Sequence, residues 1–263
     1  MVIELSTWKF KSRGVTAVNL LKLKAWKEIA DVNMQALLFS VLYILVATQS
    51  FNQERILQSL LLLFSLAAYG CCAVLVNDYC DMPIDLKAGK RVEMQKVSRA
   101  HLLALMVTLF LVSFFPIAFK SRNPVFLMIF AFTYFLAIFY SAYPLRFKER
   151  ATLGVVIDML IEKTFPQVLV LVFFGYSSLD ALPIVLFFSV MQLKIILDHQ
   201  IFDYNDDLNS GVRTFVVELG IEKSENILRW ILRPLFVLSF VLLCIAIYVY
   251  VPSSLTILLA LLI

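Results

Sequence analysis

Asn77-Asp78-Tyr79-Cys80-Asp81-Met82-Pro83-Ile84-Asp85 decides how this chain folds, because it stands where a long apolar run, Ile56 to Val76, gives way to charge. Asn77, Asp81 and Asp85 fall four residues apart, so a helix that continues through the stretch projects all three from one face. A second acidic group, Asp203-Tyr204-Asn205-Asp206-Asp207, closes another apolar run far downstream, and Asp203 and Asp207 repeat the four-residue spacing. The fold must place two groups of carboxylates at the mouths of apolar helices.

Composition says what kind of helices these are. The chain has 263 residues, of which 61% are hydrophobic and 16% charged, against about 25% charged in a soluble domain. Its mean hydropathy is +0.87. Backbone inside lipid must satisfy its own hydrogen bonds, which leaves helix bundles or closed barrels. Only 7 Gly and 8 Pro, together with apolar runs of helix-spanning length, favour helices. The expectation is one all-α, polytopic membrane domain over residues 33–263, with spans near 33–50, 56–78, 101–119, 123–142, 152–175, 180–202 and 226–250. The last run, Leu255 to Ile263, is too short to cross, so about eight helices are visible and a C-terminal truncation is expected. Residues 1–32 form a basic segment whose Val18, Leu20, Leu21, Leu23, Trp26 and Ile29 share one helical side. That pattern fits a helix lying on a membrane surface or a plain lead-in to the first span. No cleavable signal precedes it.

Lysine and arginine placement sets the orientation. The N-terminal segment, the 81–100 loop (Lys87, Lys90, Arg91, Lys96, Arg99), the 143–150 loop (Arg146, Lys148, Arg150) and the 203–233 region are basic. Seven alternating spans put all of them on one side, leaving Arg55, Lys120 and Arg122 opposite. The N-terminus and both acidic groups are therefore expected on the cytoplasmic side. Cys71, Cys72, Cys80 and Cys244 lack the paired spacing of zinc or disulfide frameworks and read as small core residues.

Crowded carboxylates repel one another when ionised, and a divalent cation relieves that. Carboxylate and amide oxygens suit Mg2+, which keeps several waters and shares phosphate oxygens with a substrate. Each acidic group alone is equally a solvated loop after a helix. Two on one membrane face can bridge metals to one diphosphate. The loop Tyr140-Ser141-Ala142-Tyr143-Pro144-Leu145-Arg146-Phe147-Lys148-Glu149-Arg150 shares that face, and Arg146 and Lys148 can meet one anion, although positive-inside decoration accounts for them as well. Ionisable residues also fall within the spans: Asp158 and Glu162, Lys163, and the pair Lys194 and Asp198, followed by His199. Such residues are costly in lipid and are functional candidates or interhelical clamps.

Asn77-x-x-x-Asp81-x-x-x-Asp85 resembles the first aspartate-rich motif of the UbiA superfamily of intramembrane prenyltransferases. Asp203-x-x-x-Asp207, followed by Asn209-Ser210-Gly211-Val212-Arg213-Thr214, is similar to the second, and Tyr140-Ser141 with Pro144-Leu145-Arg146-Phe147-Lys148 resembles the basic loop. Order and spacing agree from about residue 17 to 250. The resemblance implies nine helices around a cavity open to lipid. It implies Mg2+ held at Asn77, Asp81, Asp85, Asp203 and Asp207, with the four aspartates as the catalytic set. Tyr140, Arg146, Lys148 and Lys194 would bind the diphosphate, and Asp158, Asp198 and His199 are candidates for the acceptor end. The expected activity is transfer of an isoprenyl group from an allylic prenyl diphosphate to a lipophilic acceptor resembling an aromatic quinone precursor. Membrane lipid is the other expected partner, nucleic acid is not, and a bacterial or archaeal cytoplasmic membrane is the expected site. The chain departs from the family pattern in its helix count and in Leu86-Lys87-Ala88-Gly89-Lys90-Arg91, which lacks the frequent Arg-Pro-Leu run. Two other readings compete: a terpene cyclase of the same fold, and a transporter using intramembrane carboxylates. The clustering of acids at one face and the scarcity of mid-helix glycine disfavour the transporter.

Overall fold

In the computed structural model, residues 33–87, 94, 97–121 and 123–250 are described. The expected surface helix over residues 1–32, the basic residues Lys90, Arg91, Lys96 and Arg122, and the run Leu255 to Ile263 lie outside them.

Among the described residues the chain is a helical bundle. Its elements are α1 (Met34–Ala47), α2 (Gln53–Lys87), α3 (Arg99–Ser121), α4 (Pro124–Ser141), α5 (Ala151–Met159), α6 (Phe165–Phe174), α7 (Leu182–Phe202), α8 (Tyr204–Ser210), α9 (Phe215–Leu219), α10 (Ile221–Ile227) and α11 (Arg233–Tyr250). Single π-helical turns, Leu160–Thr164 and Leu228–Leu232, join α5 to α6 and α10 to α11. Five stretches are long and apolar enough to cross a membrane: Gln53–Leu86, Arg99–Ser121, Pro124–Ser141, Leu179–Phe202 and Ile221–Tyr250. Two expected spans differ from that standard for physical reasons. α1 is shorter, with 14 described residues, and the α5–α6 run carries Asp158, Glu162 and Lys163 at its centre.

Local chemistry sets the helix ends. The Asn123 side chain accepts from the Val125 and Phe126 amides at 3.0 and 3.4 Å, and Pro124 takes the first helical position, where its missing N–H costs nothing. Gly175, at φ 66°, ends α6 in a left-handed turn. Gly211, at φ 73°, does the same for α8, just after the second acidic group.

α2 packs against α3 and α4, α1 against α6, and α7 against α5 and α11. The centre is aromatic: Tyr69 meets Tyr134 edge to face at 4.9 Å, and Phe130 stacks on Phe114 at 5.5 Å. Outside, Phe119, Met128 and Val241 present apolar side chains to the surroundings, as lipid contact requires. Cys71 and Cys72 are buried as expected, but Cys80 is only half-buried and Cys244 is exposed among these outward apolar groups, because the outer surface tolerates a small apolar side chain as well as the core does. Polar side chains bind the helices together: Ser65 Oγ donates to the Ser113 carbonyl, and Tyr43 Oη donates to Asp180 Oδ2 at 2.5 Å. Phe130 is fully buried, whereas Phe119 is 78% exposed. Phe130→Ala is expected to destabilise the protein by about 3 kcal/mol through the cavity it leaves, seen as a lower thermal midpoint in detergent, with Phe119→Ala close to the parent.

Candidate active site

The first acidic motif is helical throughout, so Asn77, Asp81 and Asp85 do share a face at the end of α2. The basic loop after α4 folds back onto that face. Arg146 Nη2 donates to Asp81 Oδ1 at 3.0 Å, and Lys148 Nζ pairs with the same oxygen. Ser141 Oγ donates to Asn77 Oδ1 at 2.5 Å, and Lys148 Nζ reaches that oxygen at 3.4 Å.

Arg146 is buried, with a side-chain exposure of 3%. Its backbone is left-handed, at φ 38° and ψ 60°, a conformation unusual for a residue with a Cβ. Three contacts hold it there: Asp81, the Ser141 carbonyl at 2.7 Å from Nη1, and Glu149, which accepts from Nε. Burial opposes its charge, yet the Glu149 and Asp81 carboxylates outweigh burial and raise its pKa. For Lys148 the balance tips the other way. Burial lowers its pKa against the pull of Asp81, and the neighbouring Arg146 charge adds to the lowering. The loop thus holds two cations close together, each paired with a carboxylate.

The second acidic group lies at the same end of the bundle. A short parallel bridge joins Ala151, at the start of α5, to Thr214, just after that group, and Gln200 Oε1 accepts from the Val216 amide at 3.3 Å. Asp203 caps the end of α7 and is exposed, while Asp207 is half-buried on α8. Lys194 and Asp198 pair at 2.8 Å, as their spacing predicts, and His199 beside them is exposed.

A cavity of about 320 Å3 opens beneath Asp81, within the size range of small-molecule sites. Asn77, Asp81 and Lys148 line its mouth, and Tyr140, Asp158 and Glu162 line the rest with apolar neighbours. Asp85, Lys194, Asp198, His199, Asp203 and Asp207 do not lie on this wall. Among the described residues, no group of three His, Cys, Asp or Glu side chains stands close enough to hold a metal ion, and Asp81 Oδ1 faces two cations. The donor set still fits Mg2+ chemically, since that ion usually takes one or two carboxylates and completes its shell with water and phosphate oxygens.

Several contributors were hidden in the sequence. Ser141 and Glu149 act through contacts that no spacing reveals. Gln192, an amide in the apolar part of α7, gives a signal, and its Nε2 donates to Asp158 Oδ2 at 2.7 Å. Gly154 gives a weaker one: a Cβ there would meet the Phe147 carbonyl oxygen at 2.9 Å and the Lys148 Cα at 3.1 Å.

Fold and site together define an all-helical membrane protein with a cluster of paired acids and bases at one end of a cavity. The chain belongs to the UbiA prenyltransferase family, whose sequence profile matches residues 36–263. Its fold is similar to solved structures of a UbiA homolog from Archaeoglobus fulgidus. The form bound to GPP and Mg2+ matches with a TM-score of 0.65 at 17% identity, covering 90% of this chain and 81% of that one. The form bound to DMAPP and Mg2+ gives 0.65 at 16% identity with the same coverage, and the form bound to Cd2+ gives 0.65 at 16% over 91% and 83%. Among curated protein sequences none matches.

Because the Gly154 contact is with backbone, Gly154→Ala is expected to displace the loop that carries Arg146 and Lys148. The cost is about 1–3 kcal/mol of overpacking, measurable as a lower thermal midpoint, together with weaker retention of inorganic pyrophosphate in equilibrium dialysis.

Proposed function

We propose that this chain transfers an isoprenyl group from an allylic prenyl diphosphate to a lipophilic acceptor inside the membrane. The observation that carries the reading is the convergence of Asp81, Arg146 and Lys148 at the mouth of the cavity. Family membership supports it, as do the ligands of the archaeal homolog, DMAPP and GPP with Mg2+.

In this reading Arg146 and Lys148 take the diphosphate as the allylic C–O bond breaks and charge grows on the leaving oxygen. Their release from Asp81 frees that carboxylate for the cation side of the site. Asn77, Asp81, Asp85, Asp203 and Asp207 would hold Mg2+, which when bound neutralises the diphosphate and makes it a better leaving group. Tyr140 lines the passage between the diphosphate end and the interior, and Lys194 is a further candidate for the anion from α7. Asp158 is the acceptor-side candidate on the cavity wall. Asp198, paired with Lys194 on α7, and His199 are the remaining candidates for the acceptor end. The reaction requires water to be kept from the cation-like carbon fragment, which it would otherwise quench. Positive-inside placement supports a cytoplasmic mouth.

The test is diphosphate release by purified protein in detergent from labelled geranyl, farnesyl and geranylgeranyl diphosphates. Release is expected with Mg2+ and is expected to stop with EDTA. Asp81→Ala and Asp203→Ala should each lower it at least about a hundredfold while the far-ultraviolet helix signal persists. Full activity in either variant removes the metal assignment.

A further inference from the structure

α2 and α4 run side by side toward the mouth of the cavity in one register. Ser141 Oγ donates to Asn77 Oδ1 at the top. One turn below, Ala73 of α2 and Ala137 of α4 both line the cavity. One turn further down the residues change from small to large, and Tyr69 meets Tyr134 edge to face with ring centroids 4.9 Å apart. The space is therefore open where both helices carry alanine and ends on two rings where both carry tyrosine. Both rings are buried, and both hydroxyls are bonded within the bundle. Tyr69 Oη donates to the Ile161 carbonyl at 3.1 Å, and Tyr134 Oη is hydrogen-bonded to Ser113 Oγ. The pair thus meets an apolar ligand with ring carbon. Phe130 packs against both rings, at 6.0 and 5.3 Å, and Phe110 against Tyr134 at 5.0 Å, so the pair is braced from behind. Beyond Tyr69, toward α1, lies a recess of about 20 Å3 lined by Leu37, Leu66 and Gly70, room for a water molecule and not for an isoprene unit.

We infer that Tyr69 and Tyr134 form the floor on which the donor's tail ends, and that they limit it to about two isoprene units. The inference rests on the prenyl-transfer reading above, which puts the diphosphate beside Asp81, Arg146 and Lys148. From Asn77 to Tyr69 the chain runs eight residues, or about 12 Å of helix. Three extended backbone bonds span at most about 3.6 Å, so the four chain bonds of one isoprene unit span about 5 Å. Two units fit above the rings, and a third runs into them. To admit it, Tyr69 must swing aside, break its bond to the Ile161 carbonyl and leave a buried hydroxyl unpaired, which is costly where no water replaces the partner. Ala73 and Ala137 set the remaining depth, because a larger side chain at either position fills the layer just above the floor.

The experiment gives full-chain protein in detergent labelled dimethylallyl, geranyl, farnesyl and geranylgeranyl diphosphates with Mg2+. It compares kcat/KM for diphosphate release with equilibrium binding of the matching uncleavable thiolodiphosphates. The parent is expected to favour geranyl over farnesyl and geranylgeranyl at least tenfold by both measures. Tyr69→Leu joins the recess to the cavity and should raise the farnesyl-to-geranyl ratio at least tenfold. Ala73→Leu raises the floor and should move the preference from geranyl toward dimethylallyl by a similar factor. Mere loss of folded protein moves neither ratio. A parent that uses geranylgeranyl as well as geranyl, as it would if the tail turned aside into lipid, overturns the inference, and so do variants whose ratios stay at the parent's values. Absence of diphosphate release from every donor in the parent overturns the prenyl-transfer reading, and the inference with it.

Discussion

Half-buried Asp81 faces two cations, one of them the buried Arg146, and the working end of the bundle is organised around that contact. A carboxylate, a guanidinium and an ammonium withdrawn together from water lose hydration that only close mutual pairing restores. Pairing requires the end of α2 and the loop after α4 to meet within hydrogen-bond distance, which in turn requires the rest of the loop to be fixed. Ser141 supplies both a hydroxyl to Asn77 and a carbonyl to Arg146. Glu149 takes the remaining guanidinium edge. Gly154 lets α5 start directly against the loop backbone. Each of these is small, and each is needed because a buried charge with one partner missing is far more costly than one never buried.

The rest of the bundle works under a different constraint. With apolar groups on both its inside and its outside, burial of hydrocarbon contributes little to choosing which helix faces which. Close aromatic contact and polar pairs between helices take over that task. Ser65 with Ser113, Thr164 with Ser189, Tyr43 and Tyr176 with Asp180, and Ser40 with Gln167 each join separate elements. The aromatic group of Tyr69, Phe110, Phe114, Phe130 and Tyr134 locks α2, α3 and α4 beside the cavity. The cavity keeps its shape because its walls are held from behind.

Much of this was readable from residue order alone, for reasons specific to each element. Long apolar runs between charged ends permit one solution in lipid, so the helices stood where expected. The four-residue spacing of Asn77, Asp81 and Asp85 survived because α2 stays helical through Pro83, and Lys194 met Asp198 because α7 is regular there. The same spacing rule was less informative at Asp158 and Glu162. A π-helical turn begins between them, and its extra residue changes where Glu162 points. Spacing along one helix says nothing of which cations from another segment will reach a carboxylate first, and at Asp81 the basic loop does. Contacts such as Asn33 with Glu162 or Gly154 with Phe147 join positions whose proximity only the fold creates.

One consequence follows from the distribution of charge along the cavity. Asn77, Asp81 and Lys148 line it together with Tyr140, Asp158 and Glu162, so its described lining carries charge of both signs. Lys148 and the adjacent Arg146 offer an anionic group one place to sit, beside Asp81, and that fixes which way a ligand with one anionic end lies. In the proposed reaction, that orientation keeps the departing diphosphate and the incoming nucleophile at opposite ends of one water-poor space, which an in-line transfer needs.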